Sequence, residues 1–348
     1  MMAQTLCAND RLLVFAPHPD DETLAAGELI QAAQDAGASV RVVFVTDGDN
    51  NPWPQRWLER RWHIGNAERA RWGARRRGEA GEALKRLGLD VQHNAHFLNW
   101  PDQGLTDSLM RDDRAVNRLV EEISAFTPTH MVLPTLADRH PDHSALRVLL
   151  ELAVLRSGSD CIRLGYVVHA ADKSAPEHQQ SVAESGRQQR KQWAMQAYVS
   201  QMLLSRRRLL ALAARAEQFE VTHASMPAPH GAPTIQIPYR SRARRRHELL
   251  LVVATRNDIR RWRVPLPHTH THASDPQEPA LAIDLNAGKL GVTLPLMADS
   301  ILAVFSKVNR RGPRLLIFDD EPWFESVGTH ARAQISAHAI PAGALRDA

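Results

Sequence analysis

The sequence predicts an α/β protein: a mostly parallel sheet with helices on both faces, followed by a smaller β-rich, sandwich-like domain. Three observations carry this expectation. Short apolar runs alternate with helix-spaced segments through about residue 225. The strand-like runs are continuously apolar, as in strands covered on both faces. At 226–233 (MPAPHGAP) the pattern breaks in Pro and Gly and gives way to short β-type runs separated by turn residues. The 348 residues accommodate two domains, here placed at 1–225 and 226–348.

The elements follow in order. Residues 12–16 (LLVFA) read as a buried first strand, and 23–36 as a helix closed by Gly37. Residues 40–46 are a second strand, and 47–62 a long polar loop bearing three tryptophans. A helix over 66–87 ends at Gly88, and a weaker third strand spans 91–98. An amphipathic helix over 112–126 stops near Pro128, and 130–133 begins a fourth strand. A helix over 144–155 and a fifth strand over 162–169 complete a Rossmann-like, right-handed βαβ alternation. A helical stretch over 184–219 closes the first domain. Beyond the break, β-type runs fall at 234–237, 249–254, 281–285, 290–294, 301–305 and 315–318.

Composition narrows the function classes. With 43% hydrophobic and 24% charged residues the chain is not predominantly disordered. Two cysteines, Cys7 and Cys161, exclude a disulfide scaffold or a Cys-rich zinc module. No apolar run approaches the ~18 residues of a membrane span. The first ten residues lack a basic flank before an apolar stretch, so no signal peptide is expected and the expected setting is cytoplasmic. The net charge of +4 is uneven, with arginines concentrated at 56–77, 206–208 and 240–246. Solvated helix faces account for such clusters, and attraction to an anionic glycolipid, nucleic acid or membrane surface is the functional reading. Aromatic residues are only 5% and do not interleave with basic ones, which argues against nucleic acid.

The chemistry lies in two clusters. His18-Pro19-Asp20-Asp21-Glu22 follows the first strand, and Asp138-Arg139-His140-Pro141-Asp142-His143 follows the fourth. In an open parallel sheet, sites form off the carboxyl ends of strands, so the two loops can converge. One imidazole and one carboxylate from the first, with one imidazole from the second, make a three-ligand set with an open position, as in catalytic zinc sites. A remaining carboxylate could act as general base and a remaining histidine could stabilise an oxyanion.

These two motifs, in this order, resemble the PIG-L/LmbE family of zinc-dependent N-deacetylases. Thr46-Asp47-Gly48 after the second strand, Arg76-x-x-Glu79 with Ala83 and Leu87-Gly88, Pro101-Asp102 with Gly104-Leu105, and Lys191, Ala194, Tyr198 and Ser200-Gln201 extend the resemblance over about residues 10–220. Ala26-Gly27 departs from the Gly pair of many members, with an effect expected only on helix–sheet packing. The resemblance implies zinc, with iron(II) as the other candidate, on His18, Asp21 and His143. It implies Asp20 as general base, His140 as the group that polarises the tetrahedral intermediate or assists amine departure, and Asp142 orienting His140. Arg76 and Asp102 would contact the sugar or its aglycone. The implied reaction removes the N-acetyl group from an N-acetylglucosamine-type sugar in a glycoconjugate, with an anionic substrate, peripheral membrane association and homo-oligomerisation open.

Two rival readings stay open: a deacylase of another amide (lipid, antibiotic or thiol conjugate), and a non-catalytic glycan-binding protein. A nucleotide-binding reading is disfavoured, because the first strand-to-helix loop lacks G-x-G-x-x-G. Trp53, Trp57 and Trp62 read either as a lid or saccharide platform or as anchors of a long loop. His268, His270 and His272 read as a surface turn, His63, His93, His96, His169 and His223 as core or surface histidines, and Asp319-Asp320-Glu321 as a solvated turn.

Overall fold

The structure, a computed structural model, describes residues 6–169, 179–180, 185–222, 234–238, 247–266, 281–286, 289–297, 300–310, 318–319 and 323–326. The chain divides into two compact units: Met1–Met226 with Gly312–Trp323, and Pro227–Arg311 with Phe324–Ala348. The runs at 226–233, 240–246 and 268–272, most of 315–318, and His223, Asp320 and Glu321 lie outside the described residues.

The first unit is built on β1 (Arg11–Ala16), whose residues 12–16 are fully buried. It pairs in parallel with β2 (Ser39–Thr46) on one side and β4 (His130–Pro134) on the other. Next to β2 lies β3 (Ala95–Trp100), and next to β4 lies β5 (Ile162–Tyr166), both parallel. Two antiparallel strands, β6 (Gln179–Gln180) and β7 (Gln218–Thr222), complete the order β3-β2-β1-β4-β5-β7-β6. The order reverses between β1 and β4. At such a switch point the loops leaving the two neighbouring strands run apart and open a crevice at the carboxyl edge. Those are the loops that carry the two His/Asp clusters.

The helices are α1 (Asp21–Asp35), α2 (Pro52–Glu59), α3 (Asn66–Leu87), α4 (Val91–Asn94), α5 (Leu105–Arg111), α6 (Arg114–Phe126), α7 (Pro141–Ser157), α8 (Ser185–Met195) and α9 (Val199–Ala213). Helix α3 ends at Gly88, which takes the left-handed φ of +96°. Three expectations need correction. The loop at 47–62 contains α2, because Asn51 caps it by accepting from the Trp53 N–H and Pro52 sits where no helical N–H is required. The third strand starts at Ala95, because Asp90 caps a helical turn over 91–94. The stretch 184–219 is two helices followed by β7.

Ionic pairs and hydrogen bonds fasten α8 and α9 to the sheet side of the unit. Lys191 is fully buried and donates to Glu217 Oε1 at 2.9 Å, with Glu28 at 3.7 Å. Glu217 also accepts from the Glu28 and Leu29 N–H groups. Gly27 lets the lysine pass, since a Cβ there would lie 3.0 Å from Lys191 Cγ. Tyr198 donates to Glu22, and Glu79 accepts from the backbone and hydroxyl of Ser200. The late motif residues thus serve as buried fasteners.

The second unit contains β8 (Thr234–Pro238), β9 (His247–Thr255), β10 (Ile259–Leu266), β11 (Ala282–Asn286), β12 (Lys289–Thr293), β13 (Ile301–Arg310) and β14 (Phe324–Ser326). They form two antiparallel sheets, β10-β9-β13-β14 and β11-β12-β8. Alternate residues Leu249, Leu251 and Val253 of one sheet share a core with Ile235, Ile237, Leu290 and Val292 of the other. That is the face-to-face packing of a sandwich. Strands β10 and β14 had no counterpart in the sequence reading. The arginines of 259–263 (IRRWR) mask the alternation of β10.

Lys191→Met should lower the unfolding free energy by about 3–5 kcal/mol in urea denaturation, because Glu28 and Glu217 lose their buried cation.

Candidate active site

Both clusters stand at the carboxyl edge, on the first turns of helices. Residues 17–20 link β1 to α1, and α7 begins at Pro141, three residues earlier than its apolar pattern suggests. Asp21, Asp142 and His143 therefore project from helix starts, where negative charge is favoured.

Asp21 is the meeting point. Its Oδ2 accepts from the His18 N–H at 3.0 Å and lies 3.2 Å from His18 Nδ1 and 3.1 Å from His143 Nε2. All three side chains are buried. On the far side of His143, Nδ1 is 3.0 Å from Asp138 Oδ2. Asp138 is fully buried and also accepts from the backbone N–H groups of His140, Val168 and His169. In a neutral His143 with its proton on Nδ1, the Nε2 lone pair would be set against the Asp21 carboxylate. His18 Nε2 has Asp102 Oδ1 3.2 Å away and Asp142 Oδ2 3.4 Å away.

Such a cluster holds charge strongly. Burial opposes the charged form of His143, but Asp138 and Asp21 overcome it and push its pKa up to about 10. Burial likewise opposes charge on His18, and Asp102, Asp142 and Asp21 raise it well above the usual histidine range. Asp21 is held well below the carboxylate range: burial acts against this, and His143 and His18 prevail. Without a metal, the imidazoles carry protons between carboxylates. A divalent cation can take the place of those protons. His18 and His143 each bring a nitrogen within 3.2 Å of Asp21 Oδ2, and two N donors with one O donor are a donor set that fits zinc or iron(II). Overlapping sets, His18 with His140 and His143, Asp21 with His143 and His169, and His18 with Asp102 and Asp142, bring donor atoms within 4.8 Å of one another.

Asp20 stands beside this set. Its φ of +122° is in the region that favours glycine, so the backbone there is strained. Burial raises its pKa to about 7, against the pull of Arg76 and with help from Asp21. Arg76 was expected on the substrate. It borders the cavity, but its guanidinium is already engaged: it donates to the carbonyls of Pro19 and Gly48 and lies 3.3 Å from Asp20 Oδ2. It therefore clamps the loops after β1 and β2 together. Gly48, at φ +60°, leaves room for it, since a Cβ there would fall 1.6 Å from Arg76 Nη1. Asp102 also borders the cavity, yet its oxygens face His18 and the Asn50 N–H.

The expectation for Asp142 needs correction. Its carboxylate accepts from the Gln103 and Leu105 N–H groups, tying down the loop before α5. The contact that orients His140 comes instead from the Asp142 backbone N–H, which donates to His140 Nδ1 at 3.3 Å. That bond leaves the proton of a neutral His140 on Nε2. Burial and the neighbouring His18 and His143 keep His140 well below the usual histidine range, so it is neutral.

The cavity encloses about 180 Å³ and is bordered by His18, Asp20, Asp21, His140, Arg208 and Phe318, among others. Three residues carried no role in the sequence reading. Asp138 was read only as part of its cluster. His169 lies just past β5, the third strand along the same edge, and that position was the available signal. Its ring centroid is 5.0 Å from His143 and 5.6 Å from His140, and burial lowers its pKa to about 4. Phe318 comes from the return segment of the first unit and meets His169 at 5.2 Å, which no local pattern announces.

A parallel sheet with a His/Asp cluster at its switch point defines an α/β protein with an enzyme-type site. Residues 13–154 match the PIG-L family model, described as GlcNAc-PI de-N-acetylase. The chain is similar to 1D-myo-inositol 2-acetamido-2-deoxy-alpha-D-glucopyranoside deacetylases. It is 29% identical over 176 residues to that of Mycobacteroides abscessus, covering 46% of this chain and 61% of the relative. It is 35% identical over 147 residues to that of Mycobacterium avium, covering 38% and 47%. The matches thus span about half the length of these relatives. Among solved structures, N,N'-diacetylchitobiose deacetylase from Pyrococcus horikoshii resembles it at 19% identity and a TM-score of 0.49, over 61% of this chain and 84% of the other.

Gly48→Ala should displace Arg76 and force a left-handed alanine. It should lower the unfolding free energy by about 2 kcal/mol in urea titration.

Proposed function

We propose that the chain is a metal-dependent N-deacetylase that hydrolyses the acetamido group of an N-acetylglucosamine-type sugar in a glycoconjugate. The observation that carries this reading is the buried convergence of His18, Asp21 and His143 beside a strained Asp20 that pairs with Arg76. Zinc, with iron(II) as the other candidate, would be held by His18 Nδ1, Asp21 Oδ2 and His143 Nε2. Bound there, the metal would supply an acidified water and polarise the acetamide carbonyl. The deacetylase chemistry rests on the first unit, which extends the expected 1–225 by the return segment 312–323 that brings Phe318, and the rest of 226–348 is an accessory β-domain.

Each neighbouring group then has a task. Asp20 takes a proton from the attacking water and returns it to the departing nitrogen. His140 offers its Nε2–H to the oxygen on which negative charge develops, and being neutral it donates without first needing to be charged. Arg76 fixes Asp20 and both strand ends. Asp138 sets the His143 tautomer so that Nε2 is the ligating atom. The C–N bond breaks, giving acetate and a free amine. The cavity is smaller than the ~300–1,000 Å³ of a pocket that envelops a drug-sized ligand. It would therefore take the acetamido sugar end and leave the aglycone outside. Similarity to inositol-linked acetamido-sugar deacetylases supports the sugar, and the resemblance leaves the aglycone open.

The test is acetate release from N-acetylglucosamine conjugates that differ only in aglycone, using zinc-loaded protein. Asp20→Asn should lower kcat by about 10²–10⁴-fold with one metal still bound, as measured by elemental analysis. Turnover unchanged in that variant would remove Asp20 from the mechanism, and no release from any conjugate would remove the sugar-deacetylase reading. Asp138→Asn should weaken zinc affinity about 10–100-fold in chelator competition.

A further inference from the structure

We infer that the face formed by α2 and α9 is a docking surface for an anionic lipid bilayer, placed at the mouth of the candidate active site. Three tryptophans near α2 are unusually open: Trp53 is 60% exposed, Trp57 70% and Trp62 81%. Leu58 beside them and Leu203 and Leu204 on α9 are also exposed. Helix α2 packs on α9. Both border the same cavity, α2 through its cap Asn51 and α9 through Gln201, Ser205 and Arg208.

Charge selects the occupant. Residues 56–77 contain eight arginines, of which Arg61, Arg71, Arg76 and Arg77 pair with Glu68, Glu59, Asp20 and Asp47, and Arg56, Arg60, Arg69 and Arg75 have no carboxylate partner among the described residues. Helix α9 adds Arg206, Arg207 and Arg208 with no acidic residue in its span. Exposed indoles and leucines among excess cations are the composition of a surface that sits in the headgroup region of an anionic membrane. A second copy of the chain fits poorly, since a two-fold contact would set this arginine cluster against itself. The Arg56 guanidinium lies 5.0 Å from the Trp53 ring and 5.5 Å from the Trp62 ring, which sets a cation directly among the exposed indoles.

The docking itself does not depend on the deacetylase reading, and its test needs no turnover.

The experiment is co-sedimentation of the full chain with two vesicle preparations, phosphatidylcholine alone and phosphatidylcholine with about 30 mol% phosphatidylglycerol. Binding to the anionic vesicles should be at least about tenfold tighter and should weaken as salt rises. Trp57→Ser/Trp62→Ser should bind the anionic vesicles about tenfold more weakly, with an unchanged thermal midpoint because both side chains are exposed. Four results would overturn the inference. The wild type could bind neither preparation, or the double variant could bind like wild type. Sedimentation equilibrium could show a dimer that the double variant dissociates. A soluble oligosaccharide could release the protein from vesicles.

Discussion

The site depends on one carboxylate oxygen. Asp21 Oδ2 sits within 3.2 Å of two imidazole nitrogens and a backbone N–H, with almost no water to share the charge. An acceptor so placed is stable only if something positive lies between it and the imidazoles. A proton can do this, and a divalent ion can do it for both imidazoles at once. Much of the surrounding structure keeps that geometry. Asp138 secures His143 from behind, Asp102 and Asp142 face the other side of His18, and Arg76 ties together the strand ends from which the loops spring.

That arrangement follows from the topology. The loops after β1 and β4 become neighbours only because the strand order reverses between them. The fastening of α8 and α9 completes the wall. Tyr198 reaches Glu22, next to the site carboxylates, and Ser200 is held by Glu79, three residues from Arg76 on α3. The late motif therefore supports the site indirectly, by fixing the helix that borders the cavity.

The legible parts of the sequence were those with a single dominant local signal. Continuous apolar runs gave β1, β2 and β4 nearly to the residue, and Gly88 gave the end of α3, because burial and a left-handed cap leave few alternatives. The His/Asp clusters were legible because their residue types are unusual beside apolar strands. Helix α2 was not, since its two prolines suggest a loop until the Asn51 cap places them in a first turn. The protein contacts of Arg76 and Asp142 were not legible for a different reason. A motif position carries residue type, whereas partners such as Gly48 O and the Leu105 N–H are set by distant backbone. Phe318 arrives from the far end of the chain and has no local signature at all.

Asp20 shows what the site demands of the chain. A non-glycine residue at φ +122° is strained, and glycine would suit that backbone better. Arg76, the Glu22 carboxylate on the Asp20 N–H and the packed start of α1 hold the strained turn in place. The turn has a geometric consequence: the chain must present Asp20 and Asp21, consecutive residues, to different partners. Asp21 goes to the imidazoles, and Asp20 goes to the guanidinium beside the cavity. In a regular helix start, adjacent side chains diverge by about 100° around the axis. The reversed φ at Asp20 takes it out of the helix while Asp21 begins it, and that separates the two carboxylates, one toward the imidazoles and the other toward the guanidinium and the cavity.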